Sequence, residues 1–168
     1  MKRLRRSVVV GSLMLAVGLV EARAFDADEP TWKAGVASAK ITPERSLVLL
    51  GYTSRQGAYE GVADDLFARA LAFEDAQGRR AVLVAADLVG FQAAIVTDAV
   101  AGRIAERTGL PRERLLFNAS HTHTGPVVSL DPNTTLNVAH PDMTPEQAEA
   151  TVAYTKWLQD RLVELVEQ

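Results

Sequence analysis

Three histidines occur in the 168 residues, and two of them, His121 and His123, stand one residue apart in "LLFNASHTHTGP", residues 115–126. Imidazole is the commonest protein ligand for zinc and the usual side chain for polarising or protonating a substrate near neutral pH. A His-x-His pair therefore offers two metal donors, or one donor beside a group that acts on the substrate. In an extended segment residues i and i+2 share a face, which lets both rings reach one site. The same spacing also suits two ordinary hydrogen-bonded residues at the end of a strand, and spacing by itself leaves both readings open. Gly125-Pro126 turns the backbone away from the pair and leaves room above it.

Something has to carry the pair to a common edge. Arg80 to Ala86 ("RAVLVAA") is a continuous apolar run, as expected of a strand buried on both faces, and it closes at Asp87. From Ala93 to Arg107 the residues Ile95, Val96, Ala99, Val100, Ile104 and Ala105 recur at helical spacing, with Thr108-Gly109 and Pro111 as the stop. Arg114 to Ala119 then reads as a second short strand. Strand, helix and strand on short connections make a βαβ unit, whose right-handed crossover requires parallel strands. Asp87 and Ser120 to His123 close these strands at the same carboxyl edge, where open α/β sheets bind their ligands. Asp87 there suits either orienting a histidine from behind, by accepting from its ring, or capping the next helix. His140, in "NVAHPDM", reads as a solvated loop residue.

The flanking chain completes a mixed sheet. Trp32 to Ile41 alternates loosely and ends at Thr42-Pro43, a first strand closed by proline. Leu66 to Glu74 and the run from Arg80 flank Asp75-Ala-Gln-Gly78 and read as a hairpin. Between them, Gly51 opens a polar stretch, "YTSRQGAYEGVADD", which is either plain surface or one wall of a binding site. Thr144-Pro145-Glu146-Gln147 carries an N-cap threonine, a proline in the first turn and a capping-box glutamine. The helix it starts meets no stop signal before Gln168, so 25–168 reads as the N-terminal part of a larger domain. The fold class expected is α/β, a mixed sheet with a parallel βαβ core and flanking helices.

Residues 1–24 stand apart. Lys2, Arg3, Arg5 and Arg6 precede an apolar run from Val8 to Val20, and Ala22-Arg23-Ala24 has the small residues a signal peptidase reads. This pattern is a secretory signal with cleavage between Ala24 and Phe25, and the run is shorter than the roughly 20 residues of a membrane span. An uncleaved anchor is the alternative. The chain holds no cysteine, which removes disulfides and thiolate ligands and suits a periplasmic or secreted protein with no stable membrane span after cleavage. A net charge of −3, without basic-aromatic interleaving, gives no reason to expect a nucleic-acid partner.

Five segments occur in order: "AGVASAKITP" (34–43), "GY" (51–52), "LFARAL" (66–71), "VLVAADL" (82–88) and "NASHTHTGP" (118–126). Together they resemble the N-terminal part of the neutral/alkaline non-lysosomal ceramidases and their bacterial relatives, over nearly all of 33–128. That resemblance implies a zinc amidase cleaving the N-acyl bond of ceramide-like lipids. It implies His121 as a zinc ligand and His123 as an active-site residue that binds or polarises the substrate. In that family the further ligands (a second histidine, a glutamate and a tyrosine) and the active-site serine lie well downstream of the motif. The expected function is thus an exported zinc-dependent amide hydrolase, this stretch being inactive by itself. Two alternatives stand beside it: a non-catalytic exported binding domain on the same scaffold, and a hydrolase of a non-lipid ester or amide.

Overall fold

The structure, a computed structural model, describes residues 32–52, 54–55, 57–92, 97–132 and 143–168. The expected signal segment, the first residues of the expected helix from Ala93, and His140 lie outside these residues.

Strands β1 (Lys33–Lys40), β2 (Phe67–Glu74), β3 (Arg80–Ala86) and β4 (Leu115–Ala119) form one sheet in the order β1-β2-β3-β4. β1 and β2 pair antiparallel with Val36 opposite Leu71, and β2 and β3 pair antiparallel with Leu71 opposite Leu83. β3 and β4 run parallel, Val84 opposite Phe117, joined through helix α1 (Asp98–Thr108) as the βαβ reading requires. The chain is an α/β protein with a mixed sheet and a parallel core.

Alternation sets what each strand face does. Ala39, Ala68, Ala70, Val82, Val84, Ala86 and Leu115 point one way and are buried against Val100, Ala101 and Ile104 of α1 and Leu158, Leu162 and Leu165 of α2 (Pro145–Glu167). Ala39 of β1 and Ala68 and Ala70 of β2 keep this part of the face low beneath the helices. The apolar run of β3 predicts burial on both sides, but the structure covers one. Leu83 and Ala85 on the other face are half-buried, while Val36 is 83 % and Leu116 64 % exposed. Both helices pack on the same side, so the run satisfies one layer and leaves the second face open among the described residues.

Two local signals are realised as written. α1 ends on Gly109 in the left-handed conformation (φ 73°), its amide donating to the Ala105 carbonyl at 2.9 Å. α2 begins with a complete capping box: the Thr144 hydroxyl accepts from the Gln147 amide, and the Gln147 side chain accepts from the Thr144 amide. Among the described residues no helix is long and apolar enough to cross a membrane.

α2 also ties the sheet to the segment that follows the histidines. The Tyr154 hydroxyl donates to the Ile41 carbonyl at 2.7 Å, and burial pushes its pKa above the ordinary phenol value. The Thr155 hydroxyl accepts from the Ser129 amide at 3.0 Å and lies 3.1 Å from the Ser129 carbonyl. Ser129 and Thr155 are both buried, so this pairing anchors the chain just beyond the His-x-His loop.

Candidate active site at the carboxyl edge of the parallel strands

β3 and β4 end side by side, Ala86 opposite Ala119, and the Ser120 amide donates to the Ala86 carbonyl at 3.0 Å. The two following segments therefore leave the sheet at one place. After β3 the chain turns tightly, with the Leu88 amide donating to the Ala86 carbonyl at 2.9 Å. Gly125 packs on this turn: a Cβ there would stand 3.2 Å from Leu88 Cα and 3.3 Å from the Asp87 carbonyl oxygen. A side chain at this position would make the turn give by a few tenths of an ångström, so glycine suits the close approach of the two backbones.

The histidines meet, though by a different route from strand alternation. β4 stops at Ala119, and His121 takes a left-handed backbone (φ 61°), the one non-glycine positive φ among the described residues. Histidine tolerates this region better than most residues, yet an ordered non-glycine residue there marks a constrained site. The consequence is convergence: the two imidazole rings lie 5.1 Å apart between centroids, inclined at 66°.

Each ring is held differently. His121 is exposed, and its Nδ1 lies 2.8 Å from the Val89 carbonyl. A backbone carbonyl accepting from one ring nitrogen fixes the tautomer and turns the other nitrogen, Nε2, to the outside, the arrangement typical of metal-binding histidines. His123 is half-buried, and its Nδ1 is enclosed without a hydrogen-bond partner. Buried polar atoms are normally paired, so this one needs a reason.

The stretch that Gly51 opens walls one side of the His123 ring. Leu49 bridges Pro126, the Leu50 amide donates to the Gly125 carbonyl at 3.0 Å, and the Val127 amide donates to the Val48 carbonyl at 2.9 Å. Gly51 (φ 113°) then lies directly against the His123 ring, and Tyr52 meets that ring edge-on at 4.7 Å between centroids. Arg55 donates from one guanidinium nitrogen to the His123 carbonyl at 2.7 Å and to the Leu50 carbonyl at 3.3 Å. Its guanidinium carbon stands 5.1 Å from the centre of the Tyr52 ring. On the far side of the same wall, Leu49, Tyr59, Val62, Leu66, Thr124 and Pro126 border a cavity of about 260 Å³.

Asp87 stands elsewhere. Its carboxylate accepts from the Phe67 amide at 2.9 Å and lies 3.6 Å from the Arg69 guanidinium. It closes the start of β2 onto the end of β3, and none of its hydrogen bonds reaches a histidine ring. Nor does it cap α1, whose N-cap is Thr97. The group that orients His121 is instead the Val89 carbonyl, two residues further on. A main-chain acceptor leaves no trace in a reading of side-chain types, whereas a wall was one of the two readings that the polar stretch after Gly51 allowed.

As a metal site the constellation is partial. Two imidazoles converge, one with its outer nitrogen available. Among the described residues no group of three or more His, Cys, Asp or Glu side chains is placed to share an ion. The donor chemistry fits zinc, and the donor number falls short of the three or four it takes.

No family model matches the chain, and no curated protein sequence matches it. Among solved structures it is similar to one described as "Ceramidase complexed with C2", with 29 % identity and a TM-score of 0.58. The likeness covers 76 % of this chain but 20 % of that one, so the chain spans about a fifth of that protein's length. The fold described above is ceramidase-like.

Proposed function

We propose that this chain is the His-x-His portion of a zinc-dependent hydrolase acting on linear amide bonds, with a ceramide-like N-acyl lipid as the substrate class. The observation that carries the proposal is the geometry of His121: an exposed imidazole, its Nδ1 tethered to the Val89 carbonyl, on a strained backbone at the carboxyl edge of parallel strands. The likeness to a ceramidase structure gives that geometry a chemical direction.

In this reading His121 supplies one metal donor through Nε2. Zinc, when bound, contributes Lewis acidity toward the scissile carbonyl and lowers the pKa of a bound water. His123, beside it, donates a hydrogen bond to the substrate oxygen on which charge develops, and the wall from Gly51 to Arg55 holds its ring in place. Activity needs further donors besides these two rings, because one or two imidazoles do not hold zinc tightly. Export by way of 1–24, to the periplasm or outside the cell, belongs to the same proposal.

The test expresses the open reading frame that carries these residues. Zinc is counted by elemental analysis, and hydrolysis of a fluorescent N-acyl sphingosine is compared with that of a simple ester. Zinc bound near one ion per chain and cleavage of the amide are expected. Protein that binds no zinc when it is supplied refutes the metal assignment, and zinc with cleavage of the ester alone refutes the substrate class.

A further inference from the structure

We infer that Gly51, Tyr52 and Arg55 form a cradle that sets the orientation of His123, with Arg55 as a positioning residue. The inference deepens the proposed function, on which its catalytic meaning rests, but the cradle itself stands on geometry.

Three contacts converge on one residue from three directions. Below the ring, a Cβ on Gly51 would come within 2.5 Å of His123 Cγ and 2.7 Å of Nδ1, closer than any real Cβ approaches. Only a glycine leaves the space that the imidazole fills, and its φ of 113° independently excludes other residues. Beside the ring, Tyr52 packs edge-on. At the backbone, Arg55 holds the His123 carbonyl at 2.7 Å, and its bond to Leu50 ties that carbonyl to the strand-like segment carrying Gly51. Arg55 and Tyr52 also brace each other through the cation–π contact.

The enclosed, unpartnered Nδ1 now has its reason. Pressing that edge against glycine gives up a hydrogen bond and leaves His123 one direction for polar contact, away from Gly51. A ring free to turn would recover the lost bond from water, so the cradle has to oppose rotation. Both bonds come from one guanidinium nitrogen, so a lysine ammonium would keep part of the hold while losing the planar contact with Tyr52.

The test is nuclear magnetic resonance of the 168-residue protein with labelled histidine and tyrosine. Wild type should show through-space cross-peaks from the His123 ring to the Tyr52 and His121 rings. Arg55→Ala should lose both sets while the amide shifts of Val82 to Ala86 and Leu115 to Ala119 stay in place, and Arg55→Lys should restore them in part. Cross-peaks that persist in Arg55→Ala overturn the inference. Should Arg55→Ala disturb the sheet amides as well, Gly51→Ala decides, since its methyl displaces the ring without removing Arg55: persistence there is equally fatal. The measurement needs neither metal nor substrate, so it fails separately from the hydrolase reading. Unmoved cross-peaks beside an open-reading-frame product that binds zinc sink the cradle alone, and lost cross-peaks beside an open-reading-frame product that never binds zinc sink the hydrolase alone.

Discussion

The sheet closes on a hairpin at one end of β3 and meets the histidine loop at the other, and the two ends are built on opposite terms. At its start, the hairpin from β2 is closed on itself. The Asp75 carboxylate, with 7 % of its side chain exposed, accepts from the Gln77 amide at 3.0 Å, the Arg79 amide at 2.8 Å and the Arg79 guanidinium. Gly78 supplies the positive φ (75°) with nothing near the place a Cβ would occupy. At the other end, the positive φ falls on His121, Gly51 is crowded by an imidazole, and a ring nitrogen is enclosed without a partner. A turn that only has to reverse the chain satisfies its polar groups and uses glycine where the backbone is strained. Strain borne by a histidine, beside an unsatisfied one, is what supports placing the proposed chemistry at that end.

Substitutions can break or sharpen this contrast. The largest expected effect is His121→Ala, which should abolish zinc binding and turnover together, since a lost imidazole donor has no neighbour placed to replace it. Asp75→Ala at the other end should leave zinc content unchanged by elemental analysis. His123→Ala should retain zinc yet lose turnover by about 10²–10³-fold, the usual cost of removing a donor to a developing oxyanion. Equal loss of zinc in both variants would make His123 a ligand rather than a substrate contact.

The glycines separate the ends next. Gly51→Ala meets both a forbidden φ and the His123 ring and should cost about 2–4 kcal/mol in denaturant unfolding, whereas Gly78→Ala meets only the φ, at about 1 kcal/mol. Equal costs would mean that the crowding at Gly51 relaxes freely.

The smallest effect concerns pH. Burial by itself raises the Asp75 pKa, but the hydrogen bonds from Arg79, backbone and side chain, and from the Gln77 amide outweigh it, leaving the carboxyl below its ordinary value. A group with a lowered folded-state pKa contributes stability above its unfolded value, about 3.9 for Asp, and loses it as the pH falls through the folded value. Thermal unfolding of the wild type should therefore weaken on going below about pH 4, and Asp75→Asn should show a shallower fall over that same window.

Much of the fold could be read from short-range pattern. Thr144 to Gln147, Thr108-Gly109 and Asp75 to Gly78 each bond within a few residues, so their geometry is written in local chemistry. The apolar run of β3 was less legible, because continuous hydrophobicity reports what a strand could bury and not how many layers arrive to bury it. At the site, the His-x-His spacing correctly brought two rings together. The expected reason, an extended segment, was not the actual one, because β4 ends at Ala119 and the loop conformation of His121 does the work. Asp87 shows a related effect: a carboxylate at a strand end has several neighbours, and here the Phe67 amide and Arg69 take it.

What the sequence determined by itself was the set of elements and the edge at which they deliver their polar residues, because hydrophobic period, caps and crossover handedness act over a few residues or follow one general rule. What only the tertiary structure decided was which groups hold the histidines: the Val89 carbonyl on one ring, and Gly51, Tyr52 and Arg55 around the other. Those contacts span 32 residues from Val89 to His121 and 68 from Arg55 to His123. They come about because the ends of β3 and β4 and residues 48–50, bonded to 125–127, are brought together, and three of the four involve a main-chain carbonyl or a missing Cβ, which no choice of side chain announces.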